Sequence, residues 1–182
     1  MDKWIIFAGL SLGVIIISWR TLFNMRSHGF YRFISWEMII LLFAFNYRFW
    51  FRDPFSLNQV FSWILLIVSG IIVIAGVVKL KRSGNSHHLR TDKNLYHFEK
   101  TTKLVDTGIF KYIRHPLYAS LLFLAWGIFL KNPDLVLFII VALCSVFLYI
   151  TAIFDEKGCV EYFGDPYLDY KNRTRMFIPF VF

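Results

Sequence analysis

The stretch Leu135-Val-Leu-Phe-Ile-Ile-Val-Ala-Leu-Cys-Ser-Val-Phe-Leu-Tyr-Ile-Thr-Ala-Ile-Phe154 contains no charged side chain. A helix needs roughly 20 apolar residues to cross a bilayer, so this stretch predicts a membrane-spanning helix. The chain of 182 residues is 57% hydrophobic and 20% aromatic, which leaves too little polar surface to close around a water-facing globule. We therefore expect an integral membrane protein.

Four further apolar segments complete the predicted bundle. Two are uncharged runs that cross or nearly cross a bilayer, and two are weaker because one is interrupted by Glu37 and the other is short. In chain order the four are residues 4–19, 34–47, 61–78 and 117–130. The sequence thus predicts an all-α integral membrane bundle of about five transmembrane helices. We expect one domain over residues 1–182, with three helices in residues 1–78.

The basic residues predict the orientation of this bundle. Of the 20 Lys and Arg, only Lys3, Arg48, Arg52 and Lys131 fall on one side of the five-helix layout. Because basic loops are retained on the cytoplasmic side, we expect the N-terminus outside and the C-terminus in the cytoplasm. Attraction to anionic headgroups explains the net charge of +8, so membrane lipids are expected partners and nucleic acid is not.

Neither a disulfide nor a metal site is predicted. Cys144 lies inside an apolar stretch and Cys159 stands apart from it, without disulfide or ligand spacing. His87, His88 and His97 lack a cysteine or acidic partner at ligand spacing. We interpret these histidines as loop residues.

Polar side chains gather where the fourth helix is predicted to begin, in Gly108-Ile-Phe-Lys-Tyr-Ile-Arg114-His115-Pro116-Leu-Tyr118. Pro116 suits a first helical turn, where its missing N–H leaves no hydrogen bond unmade. Arg114 and His115 then lie at the helix entrance beside free backbone donors, and Tyr118 follows within the first turn. Headgroup anchoring explains any one of these side chains alone, but together they favour a ligand site.

Two carboxylates, Asp155 and Glu156, directly follow the uncharged stretch, which predicts them at the cytoplasmic end of the fifth helix. The helix dipole disfavours acidic residues at that end, so a cationic partner is expected. A hairpin through Lys131-Asn-Pro-Asp134 would bring these carboxylates to Arg114 and His115. Charged groups paired at membrane depth indicate a functional site.

A short helix is predicted in the C-terminal tail. Asp165 is the expected cap, Pro166 the opening residue and Lys171 the end. This helix would present Tyr167 and Tyr170, so we expect a folded tail.

These residues resemble the isoprenylcysteine carboxyl methyltransferases, their smaller prokaryotic relatives and the related phospholipid methyltransferases. The likeness covers about the C-terminal half of the chain, with three blocks in the family's order and spacing. Two departures are Ser120, where the family usually has glycine, and Asp155 in place of the first of two paired glutamates. The blocks are Leu104-Val-x-x-Gly108-x-Phe-x-x-x-Arg114-His-Pro-x-Tyr118, then Asp155-Glu156, then Phe163-Gly-x-x-Tyr167-x-x-Tyr170.

The resemblance implies an S-adenosylmethionine-dependent methyltransferase with a cytoplasmic cofactor pocket, formed by the loop before the fourth helix and the C-terminal tail. Residues 79–182 would be the cofactor-binding catalytic half, and a lipophilic small molecule or lipid would enter from the bilayer. Arg114 and Glu156 are the catalytic candidates. The cofactor-binding candidates are Lys103, Leu104, Val105, Gly108, Phe110, His115, Tyr118, Asp155, Glu156 and Tyr167. Carboxylate, hydroxyl, thiol and amine acceptors stay open, as does the oligomeric state.

Two other functions compete with methyl transfer. One is an NADPH-dependent membrane reductase of the sterol reductase type, which resembles this family in its C-terminal helices; the chain has no basic pair clearly placed for a 2′-phosphate. The other is a non-catalytic membrane interaction protein on the same fold, motivated by Ser120 and Asp155. Binding of NADPH would favour the first, and failure to bind any nucleotide-like cofactor would favour the second.

Overall fold

The structure, a computed structural model, describes residues 2–19, 21–22, 27–84, 95 and 99–179. Within these ranges the protein is helical, and its one β contact is a parallel bridge between Ile113 and Arg175. Short 3-10 helices lie at Tyr47–Phe49 and Gly108–Lys111. The α-helices are α1 (Lys3–Ser18), α2 (His28–Asn46), α3 (Leu57–Ser83), α4 (Pro116–Phe129), α5 (Leu135–Phe163) and α6 (Asp165–Arg173). The all-α prediction is confirmed for the described ranges.

The helices are consistent with a membrane bundle. By length and composition α3 and α5 can cross a membrane, while α1 and α4 are apolar but shorter. Only 17% of the most apolar part of α3 is buried in the protein. Its exposed face carries isoleucines at spacings of three and four residues, which are Ile64, Ile67, Ile71 and Ile74. So large an apolar surface needs a non-aqueous partner, and a bilayer supplies one.

The core lies where α2, α4 and α5 meet. Leu42, Val141 and Leu148 are fully buried there, together with the small Ala125 and Cys144. Hydroxyl groups then join α3 to α4: Ser62 and Ser69 of α3 donate to the carbonyl oxygens of Gly127 and Ser120, at 2.6 and 2.8 Å. These bonds fix α4, and with it the polar residues that precede it.

Several helix boundaries differ from the predicted ones. α2 begins at His28 instead of residue 34, and α3 continues through Ser83. α5 continues through Phe163, so Asp155 and Glu156 lie inside the helix. Their predicted position at the C-terminus of the helix, where the dipole disfavours them, is therefore wrong. An uncharged stretch marks the apolar part of a helix, and the helix itself continues into polar sequence.

The predicted turn and tail helix are present with one correction. Asp134 caps α5 by accepting a hydrogen bond from the Leu137 backbone N–H at 2.9 Å. Gly164, not Asp165, is the N-cap of α6, and the helix runs to Arg173. The φ of Gly164 is +65°, a conformation that glycine adopts without strain, which allows α6 to follow α5 directly.

Two sequence features remain: the charge of Glu37 within an apolar segment and the histidines of the long loop. Glu37, the charge within the second apolar segment, accepts a hydrogen bond from Ser11 of α1 at 2.5 Å, which satisfies one of its oxygens. His87, His88 and His97 lie outside the described residues. No group of three or more potential metal ligands occurs among the residues that are described.

Candidate functional site

The C-terminal tail pairs with the segment that leads into α4. Arg114 and His115 donate their backbone N–H groups to the carbonyls of Arg175 and Met176, at 2.7 and 3.1 Å, and the Arg175 N–H donates to Tyr112. The sequence predicts free backbone donors beside Arg114 and His115. The N–H groups of these two residues are not free, because carbonyls of the tail accept both hydrogen bonds. The pairing makes the loop before α4 and the tail one structural unit.

The turn at Gly108 is packed between α3 and α6. Gly108 has a φ of +66°, and a Cβ at this position would lie 3.3 Å from the Lys79 side chain. The 3-10 helix that begins at Gly108 carries Phe110, whose ring packs with Leu80. Tyr170 of α6 donates its hydroxyl hydrogen to the Phe110 carbonyl at 2.7 Å, so α6 holds this turn in place.

Glu156 contacts three basic side chains at the centre of this unit. Its Oε1 accepts from Arg114 Nε at 2.7 Å, its Oε2 pairs with Lys171, and it contacts His115. Arg114 Nη1 also donates to the backbone carbonyls of Lys171 and Thr174. Because Glu156 is only 3% exposed, its charge depends on these partners.

His115 lies between the two acidic side chains. Its Nδ1 is 3.5 Å from Asp155 Oδ2 and its Nε2 is 3.3 Å from Glu156 Oε1. Burial alone lowers the pKa of His115, but the hydrogen bonds to Asp155 and Glu156 outweigh that effect and raise the pKa above its usual value. The ring stacks on Tyr118, with centroids 5.5 Å apart.

A cavity opens beside this charged cluster, between the loop, the first turn of α4, the end of α5 and α6. It holds about 670 Å³ of empty space, part of it open to solvent. Its wall includes most of the predicted site residues, which are Leu104, Val105, Phe110, Arg114, His115, Tyr118, Asp155 and Tyr167.

Three predicted residues lie outside that wall. Lys103 lines a neighbouring groove with Asp106 and Arg173. Gly108 shapes the turn, and Glu156 lies behind Arg114 and His115. On this geometry Glu156 is placed to position the residues that line the cavity.

Sequence reasoning did not identify several wall residues, including Glu99, Thr101, Cys159 and Phe163. Glu99 is the most consequential of these residues, because it adds a second carboxylate to the wall besides Asp155. It pairs with Arg32 of α2 at 3.1 Å, so the N-terminal half reaches the site. No local pattern around residues 95–102 marks Glu99, and only the packing of α2 reveals it.

Burial affects the phenols of α6. It raises the pKa of Tyr167 and of Tyr170, so both hydroxyls stay protonated at neutral pH. Tyr167, 4% exposed, lines the cavity. The wall thus combines apolar surface, aromatic rings, one guanidinium and two carboxylates.

Comparison with known proteins identifies the family. Residues 57–165, more than half of the chain, match the model of the phospholipid methyltransferases. The chain belongs to this family. The match begins in α3, so it extends further towards the N-terminus than the motifs of the C-terminal half indicate.

Three curated methyltransferases match this chain over about half of their own length or less. The chain is 32% identical over 124 residues to the protein-S-isoprenylcysteine O-methyltransferase of Saccharomyces cerevisiae, covering 63% of this chain and 49% of the yeast protein. It is 28% identical over 71 residues to methanethiol S-methyltransferase 1 of Bradyrhizobium diazoefficiens, covering 39% and 24%. The protein-S-isoprenylcysteine O-methyltransferase of Mus musculus is 26% identical over 128 residues, covering 65% and 40%.

The chain therefore spans no more than about half the length of these relatives. No solved structure matches it significantly. The predicted resemblance to the isoprenylcysteine and phospholipid methyltransferases is confirmed.

Proposed function

We propose that this protein transfers a methyl group from S-adenosylmethionine to a lipophilic small molecule or lipid at the cytoplasmic face of a membrane. The observation that carries the proposal is the cavity where Arg114, His115, Tyr118 and Asp155 meet the tail residue Tyr167, in a chain of the phospholipid methyltransferase family. Residues 1–182 would act as one domain, with the cofactor-binding part in residues 79–182.

The wall residues fit the chemistry of S-adenosylmethionine. The molecule carries a carboxylate, an ammonium, a sulfonium, ribose hydroxyls and an adenine. Arg114 suits the carboxylate, and Asp155 suits the ammonium or the ribose hydroxyls. The rings of Phe110 and Tyr167 suit the sulfonium or the adenine. The cofactor would supply an activated methyl group.

The role of the chain is to orient the reacting groups and to exclude water. Methyl transfer is an in-line displacement, so the protein gains most by holding donor and acceptor in near-attack geometry. Arg114 is fixed by Glu156 and by two backbone carbonyls, which makes it a rigid contact. The apolar wall provided by Leu80, Leu104 and Leu117 keeps the site poor in water.

The acceptor would enter from the bilayer side. Leu80 and Leu117 lie where α3 and α4 reach the cavity, so an apolar chain can extend from the site along these helices. The relatives methylate different atoms, as their names state an oxygen in one case and a sulfur in another. A carboxylate, hydroxyl, thiol or amine acceptor is therefore compatible with the family. The relatives favour methyl transfer over the reduction considered as an alternative.

The test is calorimetric titration of the detergent-purified protein with S-adenosylhomocysteine, the product of methyl donation. We expect saturable binding that Asp155→Asn weakens and that Glu161→Gln, an exposed carboxylate on the same helix, leaves unchanged. Incubation with membrane lipids and donor carrying a labelled methyl group then identifies the acceptor. A folded protein that binds no S-adenosylhomocysteine would contradict the proposal, and binding of NADPH would support the reductase instead.

A further inference from the structure

An ion pair between the two halves of the chain borders the cavity. Arg32 of α2 places its Nη1 3.1 Å from Glu99 Oε2 and 3.4 Å from Glu99 Oε1. The side chains are only 7% and 11% exposed, and Glu99 lines the cavity wall. A buried carboxylate of this kind is costly to maintain unless its charge is used or compensated.

The position of Glu99 is fixed from two directions. Its side chain is held by Arg32, and the segment that follows it is held at the end of α3, where Thr102 donates its backbone N–H to the Gly84 carbonyl at 3.1 Å. Thr101 packs so closely on Gly84 that a Cβ there would lie 2.3 Å from the Thr101 side chain. The carboxylate is therefore presented to the cavity by a fixed segment.

Glu99 and Asp155 both line the cavity. Tyr118 and Arg114 line the same cavity as these two carboxylates. Asp155 contacts His115 within the wall, whereas Glu99 pairs with Arg32, which does not line the cavity. A carboxylate accepts up to about four hydrogen bonds, so its pairing with Arg32 is compatible with a ligand contact.

We propose that Glu99, positioned by Arg32, binds the ammonium group of the methyl donor. This inference rests on the proposed function and names a further cofactor-binding residue. An ammonium offers N–H donors that form short, charge-assisted hydrogen bonds to a carboxylate. The sulfonium has no N–H donor and is better matched by the aromatic wall. Arg32 is a positioning residue, because it acts through Glu99.

The test compares two ligands that differ in the amino-acid part. S-adenosylhomocysteine carries the ammonium and carboxylate, and methylthioadenosine lacks both. Replacing Glu99→Gln is expected to weaken binding of S-adenosylhomocysteine by about 10- to 100-fold, the effect typical of a charge-assisted hydrogen bond. Binding of methylthioadenosine is expected to stay unchanged. Both are measured by calorimetry on the full chain in detergent, with thermal unfolding as the check on folding.

Two further variants make the result specific. Arg32→Gln is expected to weaken S-adenosylhomocysteine binding less than Glu99→Gln does, and the exposed Glu161→Gln is the matched control that changes neither ligand. Unchanged binding of S-adenosylhomocysteine to Glu99→Gln, or equal weakening of both ligands, overturns the inference while the proposed function stands. Absence of binding to the unmodified protein would overturn the proposed function and the inference with it.

Discussion

Arg114 and Glu156 form an ion pair with 2.7 Å between Nε and Oε1, and their side chains are 8% and 4% exposed. The pair joins α5 to the segment before α4, and through the Thr174 carbonyl it also holds the tail. Breaking such a buried pair from one side leaves a charge without compensation, which costs about 3–5 kcal/mol. Glu156 is therefore expected to stabilise the site, whatever part it also takes in catalysis.

We expect Glu156→Ala to lower the stability of the protein by about 3 kcal/mol or more, because Arg114 would stay buried without its carboxylate. Thermal or denaturant unfolding in detergent measures this change. Glu161→Ala on the exposed face of the same helix is the control and should lie within about 0.5 kcal/mol of the parent. Equal stability of the two variants would show that the pair contributes nothing.

The double replacement Arg114→Met with Glu156→Leu separates structure from function. Removing both charges together avoids a buried arginine without its carboxylate, and the half-exposed Lys171 can turn to solvent, so stability should recover relative to Glu156→Ala. Binding of S-adenosylhomocysteine should still be lost, because Arg114 lines the cavity. A double variant that binds the ligand normally would exclude Arg114 from the cofactor site.

His115 should make the stability of the protein depend on pH. Hydrogen bonds to Asp155 and Glu156 overcome the effect of burial and raise its pKa in the folded state above the unfolded value of about 6.5. Its stabilising contribution is then fully present below about pH 6.5 and is lost as the pH rises through the folded pKa. Unfolding temperatures from pH 6 to 9 measure this loss.

His115→Asn is the matching variant, since it removes the titrating group. The difference in stability between the parent protein and the variant should shrink as the pH rises. A difference that stays constant with pH, or that grows, would show that the pKa of His115 is not raised in the folded protein.

Sequence patterns predicted about half of the wall residues, because these lie in compact blocks. Pro116 fixes the start of α4, and the adjacent Arg114, His115 and Tyr118 are placed by that start alone. Glu99 and Arg32 could not be found this way, because they are far apart in the chain and meet only through packing of α2. The end of α5 was missed for another reason: apolar composition stops at Phe154, but backbone hydrogen bonding continues to Gly164.

Tyr170→Phe tests the contact between α6 and the turn before α4. The variant loses the hydrogen bond from the hydroxyl to the Phe110 carbonyl, which is buried and 2.7 Å long. We expect a loss of about 1–2 kcal/mol in stability, because the carbonyl is left without this partner. Phe110 lines the cavity, so weaker binding of S-adenosylhomocysteine should accompany it. The exposed Tyr162→Phe is the control. Equal changes in stability in the two variants would show that the hydrogen bond from Tyr170 to Phe110 does not stabilise the protein.

Replacement by alanine should change the stability of the protein in opposite directions at two glycines near the end of α5. Gly164 has a φ of +65°, which a side chain tolerates poorly, so Gly164→Ala should destabilise the protein by about 1–3 kcal/mol. Gly158 lies inside the helix with nothing within 4 Å of an added Cβ, so Gly158→Ala should stabilise it by about 0.5–1 kcal/mol. Unfolding temperatures of both variants measure the pair. Because α6 carries Tyr167 and Tyr170, only Gly164→Ala should also weaken S-adenosylhomocysteine binding. An increase in stability in Gly164→Ala would contradict the sharp junction between α5 and α6.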